Sequence, residues 1–174
     1  MTDSTRPTPS APPIRHSLTV DAPAADAFAA FTEGMHAWWP REYSWSGQLL
    51  ERMVMEPWRG GFCHEIGPYG MRLDWGRVSS WEPPQRLAFS WQISPDRTPE
   101  PSPAHASEVE LRFEPVDEEH TRVTLVHDGW DRVGEGGAAY RQQLAESGFW
   151  EGLLQRYAEV VANRHEAPWT GLST

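Results

Sequence analysis

The chain contains no lysine; all fifteen of its basic residues are arginine. No P-loop lysine can therefore reach a nucleotide phosphate, and no lysine Schiff base to pyridoxal phosphate or a carbonyl substrate can form. Cysteine is nearly absent as well. Cys63 stands alone in 174 residues, so no intrachain disulfide forms and a cysteine-rich zinc site is excluded. Positive charge is scarce, with 15 arginines against 25 acids and a formal net charge of −10. Tracking a nucleic-acid backbone or lying on an anionic membrane takes concentrated positive charge, so neither nucleic acid nor membrane is expected as a partner. No run of apolar residues is long enough to span a bilayer, and residues 1–13 lack the apolar core of a signal peptide. The expected location is cytoplasmic.

What the chain has in abundance is tryptophan, at ten residues. The stretch from Trp75 to Trp91 places two aromatic-anchored segments around a Glu-Pro-Pro-Gln turn, the pattern of a hairpin with large rings on its buried face. Rings of that size need something packed on them. Either the protein's own C-terminal helix or a greasy small molecule fills that role.

The remaining pattern reads as a single domain over 14–165, between a Pro/Ser/Thr-rich tail at 1–13, expected to be disordered, and a C-terminal tail at 166–174. Ile14 to Val20 alternates as a half-buried strand. Asp21 is placed to cap a short helix over Ala24–Thr32, and a second helical piece around His36–Trp39 stops at Pro40. Strands follow at Leu49–Glu56, Phe62–Ile66, Met71–Trp81 (with a bend at Gly76), Arg86–Ile93, Glu108–Glu114 and Thr121–Asp128. After Gly136-Gly137 a helix of roughly 25 residues is expected. The fold class is therefore α+β: a curved antiparallel sheet of about six or seven strands wrapped around a long C-terminal helix, with two short helices after the first strand.

Several motifs occur in an order that resembles a known family. They are Trp38-Trp39-Pro40, Arg59-Gly60-Gly61, Trp75-Gly-Arg-Val followed by Trp81-Glu-Pro-Pro-Gln-Arg-Leu, His127-Asp-Gly-Trp130 and Ser147-Gly-Phe-Trp150. Together they resemble the SRPBCC (START-like, helix-grip) superfamily, in the branch similar to the C-terminal domain of the activator of the ninety-kilodalton heat-shock protein's ATPase. The resemblance implies the helix-grip fold with an interior cavity. It carries over no catalytic residues, because the superfamily spans carriers, cyclases and receptors.

Residue by residue, the chemistry is sparse. Cys63, His64 and Glu65 are neighbours on a strand and point to alternating faces, so they do not share a metal, and no metal or cofactor is expected. Arg59-Gly60-Gly61 is a turn before it is an anion site. No nucleophile elbow is present. His16, His64 and His127 fall in phase with apolar neighbours. Each is either a buried, hydrogen-bonded core histidine, or, for His64 and His127, a group that meets a ligand or moves a proton. On the last helix, Phe149, Trp150, Leu153, Leu154, Tyr157, Val160 and Val161 form one stripe. Extended backward, that face reaches Gln142, Gln143 and Glu146. Either a kink near Ser147-Gly148 rephases the helix so that Tyr140 and Leu144 face inward, or those polar groups look into a cavity mouth.

These readings make a non-enzymatic binder of a small hydrophobic molecule, aromatic or acyl, the leading expectation. Met53, Trp75, Phe89, Trp91 and Trp150 would supply contact area, and His64, His127 and Gln143 polar contacts. The alternatives are a chaperone-linked protein-interaction module, docking through Trp38-Trp39 with Tyr43 and Trp45, or a cyclase- or hydrolase-type enzyme using a cavity histidine. Pairing as a homodimer stays open.

Overall fold

The period-two segments become seven antiparallel strands of one sheet, in the order β1-β7-β6-β5-β4-β3-β2. The structure, a computed structural model, describes residues 11–165. Most of the expected N-terminal tail and all of the C-terminal one lie outside that range. The strands are β1 (Ile14–Val20), β2 (Arg52–Met55), β3 (Phe62–Ile66), β4 (Arg72–Glu82), β5 (Arg86–Trp91), β6 (Ser107–Pro115) and β7 (Thr121–Asp128). The helices are α1 (Ala24–Thr32), α2 (Met35–Trp38), α3 (Gly137–Ser147) and α4 (Phe149–Ala162). Each strand from β3 to β7 is the neighbour of the one before, β5 and β6 being joined by a long loop, and β1 completes the sheet beside β7.

Alternation decides which face is inside. Val109, Leu111 and Phe113 on β6 and Val123 and Leu125 on β7 are buried, as their period predicts. The sheet curls where β4 changes partner. Cys63 pairs with Gly76 and His64 with Asp74, so Trp75 is an extra residue opposite that step, and its ring turns into the core. Gly76 makes the curl possible, because a Cβ there would sit 2.6 Å from the Ser90 carbonyl and 3.2 Å from Cys63 Cβ. Gly76→Ala is expected to lower stability by about 2 kcal/mol, the cost of overpacking a filled site, which chemical denaturation will read directly.

Several local expectations are corrected. Pro23, not Asp21, occupies the N-cap position of α1, and no side chain caps that helix. β2 is shorter than the expected strand because a helical turn takes Gly47–Leu49. The long C-terminal helix is two helices. Gly148 between them adopts φ 69°, ψ 20°, a left-handed conformation that glycine reaches at little steric cost.

The space between sheet and α4 is filled with rings. Trp38, Trp39, Trp75, Trp91, Trp130 and Trp150 are each at most 4% exposed. α4 presents Trp150, Leu153, Leu154, Tyr157 and Val161 to them. Its Tyr157 hydroxyl donates to the Ala27 carbonyl at 2.6 Å, fixing α4 against α1. The open space described in the grip lies away from its centre. It opens at one end of the sheet, beside α3.

Candidate functional site

The break at Gly148 builds the site. It resets the helical phase, so that Tyr140 is buried and Leu144 half-buried while Gln142, Gln143 and Glu146 stay exposed. This decides the helix in favour of rephasing. α3 then leans over the end of β5 and leaves a pocket of about 190 Å³. Trp39, Trp91 and Phe149 supply its inner aromatic surface, and Ile93 and Leu144 add aliphatic wall. Tyr43, Arg97, Gln143 and Ser147 stand at the solvent side. A dry cavity of about 150 Å³ takes a benzene ring, so this space suits one ring or a compact fused pair.

Two loops close the mouth through hydrogen bonds. Trp45 Nε1 donates to the Arg97 carbonyl at 2.7 Å, and Arg97 Nη2 donates to the Tyr43 carbonyl at 2.9 Å. The first loop is anchored from beneath by Glu65, a carboxylate 1% exposed, which accepts the backbone N–H of Trp45 (2.8 Å) and of Ser46 (3.0 Å). Tyr140 ties α3 down: its hydroxyl accepts from Trp91 Nε1 and donates to the Ile93 carbonyl, both at 2.9 Å. Burial raises its pKa, with the Trp91 hydrogen bond and the Arg97 charge opposing, so the phenol is neutral in the physiological range.

Behind the pocket lies a histidine with no free nitrogen. His127 Nδ1 accepts from Trp150 Nε1 at 3.1 Å, and Nε2 lies 2.8 Å from Ser107 Oγ. An indole N–H only donates, so Nδ1 is unprotonated and Nε2–H donates to the serine. The ring lies against Trp130, with centroids 4.2 Å apart, and burial pulls its pKa down to about 3. It is a neutral packing group.

The eight residues expected to meet a ligand separate into three groups. Trp91 and Gln143 line the pocket. Met53, Trp75, Phe89, Trp150 and His127 form the packed layer behind it: Trp75 Nε1 donates to Met53 Sδ at 3.2 Å, and the Trp75 ring meets Phe89 at 6.0 Å and Trp91 at 5.7 Å. His64 sits apart. Its cross-strand partners are Val54 and Asp74, which places it on the outer face, while Glu65 opposite Met53 points inward. Trp38 and Trp39, expected as an exposed docking patch, are buried at 1% and 4%. The pocket residues that sequence reasoning missed include Trp39, Tyr43, Arg97, Ser147 and the segment 93–95. Trp39 and Tyr43 had been assigned to an outer surface, and Arg97 lies in an irregular loop with no periodicity to reveal its direction.

A curled antiparallel sheet closed by C-terminal helices over an aromatic interior, with a pocket at the sheet's end, is the architecture of the helix-grip, START-like proteins. The chain belongs to the family described as activator of Hsp90 ATPase homolog 1-like protein, whose model matches residues 21–163. Among solved structures it is similar to one described as an anthrahydroquino-γ-pyrone synthase, Txn09, complexed with a ligand designated SUM. That likeness is 32% in sequence, covers 87% of this chain and 98% of the other, and has a TM-score of 0.62. It is similar also to CalC from Micromonospora echinospora, described as a self-sacrificing resistance protein, at 26% identity over 90% and 97% of the two chains with a TM-score of 0.62. Protein NE0264 from Nitrosomonas europaea shares the fold at 15% identity, 88% and 96% coverage and a TM-score of 0.61. No curated protein sequence matches this one.

Proposed function

We propose that this protein binds a small hydrophobic aromatic molecule in the pocket between the end of β5 and the α3–α4 break. The observation that carries the reading is the pocket itself, where Trp39, Trp91 and Phe149 surround solvent-reachable space at the mouth of an otherwise filled interior. Flat apolar walls with a few polar groups at the rim are the ordinary composition of a ligand site. The similarity to a protein named for a fused aromatic product, at 32% identity, supports the same ligand class.

That relative is described as a synthase, which favours a second reading, in which the pocket also promotes a reaction. The titratable side chains lining it are Tyr43, Tyr140 and Arg97, with neither imidazole nor carboxylate among them. Catalysis here would rest on holding a reactive molecule in a productive geometry, because the Tyr140 proton is already given to the Ile93 carbonyl. Docking to a chaperone through Trp38 and Trp39 has lost its surface, since both rings are core.

Calorimetric titration with 1-naphthol tests the binding reading. The expected result is one site, with affinity on the order of 0.1 mM or tighter. Gln143→Trp, at an exposed helical position on the rim, should fill the mouth and weaken binding about tenfold or more while leaving the melting temperature in place. Binding that survives this substitution undiminished would move the site elsewhere.

A further inference from the structure

We infer that the pocket selects aromatic ligands that carry an anionic oxygen, a carboxylate or an ionised phenol, and that Arg97 is the specificity-determining residue. The inference rests on the pocket being the ligand site. In a chain with 25 acids against 15 arginines, no acidic side chain lines this space, and Arg97 is the one formally charged residue that does. Its surroundings leave the charge unspent. The guanidinium has five N–H donors, of which one is given to the Tyr43 carbonyl. Asp96, next to it in sequence, turns its carboxylate to Thr98, accepting from the backbone N–H at 3.1 Å and from the hydroxyl at 2.7 Å. Among the described residues Arg97 makes no ion pair. By contrast, Arg86 and Arg112, on the outer face of the sheet, hold Glu110 at 2.9 and 2.7 Å.

The backbone holds Arg97 where it is. Its φ of 68° lies in the left-handed region that a long side chain rarely adopts. The conformation is kept by Trp45 Nε1 on the Arg97 carbonyl and by the Arg97 N–H on the Ser94 carbonyl at 2.8 Å. Strain retained against such a tether marks a position whose side-chain direction matters.

A second observation points to the same ligand chemistry. The amide of Gln143 on the opposite rim makes no hydrogen bond among the described residues. The site therefore offers donors and one cation around an aromatic surface, with no competing carboxylate. An aromatic anion satisfies that set: its ring lies on Trp91 and Phe149, and its oxygens take the guanidinium fork. With a net charge of −10 the protein repels anions at a distance, so the local cation is what makes an anion the favoured ligand.

The test compares 1-naphthoate with its neutral isostere 1-naphthamide, titrated calorimetrically into the full chain at low ionic strength. For the wild type, naphthoate should bind about five- to tenfold more tightly, with the ratio shrinking in 1 M salt because Arg97 is solvent-exposed. Arg97→Gln should bring the ratio to about one, and Arg97→Lys should retain part of the preference. Naphthamide binding as tightly as naphthoate to the wild type, or a preference that persists in Arg97→Gln, overturns the inference and leaves the aromatic pocket standing. Failure of both probes to bind overturns the pocket reading with it. Should Arg97→Gln fold poorly, the wild-type ratio and its salt dependence still decide.

Discussion

Between pH 7 and pH 4.5 the folded state is expected to lose about 3 kcal/mol through His127 alone. The ordinary histidine pKa is 6.5, and burial pulls this one down to about 3. Below pH 6.5 the unfolded chain takes up a proton that the folded protein refuses until about pH 3. The stabilisation is therefore complete above pH 6.5 and is lost progressively as the pH falls through that window, at about 1.4 kcal/mol per unit. Protonating Nδ1 would set N–H against the Trp150 indole N–H, which is why the charged form has no place inside. His36 and His64 are also lowered, chiefly by burial, and add to the loss with the same sign. Urea unfolding at the two pH values measures the total. His127→Gln retains one donor and one acceptor but no titration, and its stability should fall clearly less over the same range. An equally steep fall in that variant would assign the effect to other groups.

Trp91→Ala is expected to cost about 3–5 kcal/mol, the range for deleting a buried large aromatic. The ring is 4% exposed and lies at centroid distances of 5.7 Å from Trp75, 5.2 Å from Trp150 and 5.6 Å from both His127 and Phe149. Its removal strips contacts from these four rings and from Trp39, at 6.3 Å, and takes a hydrogen bond from Tyr140, the residue that ties α3 to β5. For a domain of this size the melting temperature should drop by about 10 °C. The cavity left would be continuous with the pocket and apolar, so added indole should restore part of the lost stability by binding the folded state alone. A variant that melts within a degree or two of the wild type would contradict the filled interior.

Where one period dominates, the fold can be read from residues. β6 and β7 alternate cleanly, and the observed burial of Val109, Leu111, Phe113, Val123 and Leu125 follows it. Gly76 announces a bend because a glycine inside a strand has few other uses. β3 misled for a physical reason. Phe62, His64 and Ile66 look like an inner face, yet the Phe62 ring is covered outside by the Arg77 and Arg72 guanidiniums, at 4.6 and 5.6 Å. Meanwhile Glu65 can turn inward because two backbone N–H groups meet its carboxylate. Neither arrangement involves a sequence neighbour, so neither leaves a local signature.

The candidate site shows the same division. The inward direction of Trp91 was legible from strand period. Gln143 reaches the rim on a helix rephased at Gly148, not on the unbroken helical face that would have pointed it into the cavity. Arg97, Trp39 and Tyr43 were not legible, because their meeting depends on two loops joined by Trp45 and Arg97 across more than fifty residues of chain.

By itself the sequence determined the chemistry this protein lacks, the α+β helix-grip architecture and an interior dominated by tryptophan. These follow from composition and short-range period, which each residue carries wherever the chain goes. Only the tertiary structure decided that the rings fill the grip, that α3 and α4 part at Gly148, and that the open space lies beneath an arginine at the end of β5. Those depend on how volumes and hydrogen-bond partners distant in sequence come together, and packing of that kind is settled by the whole fold.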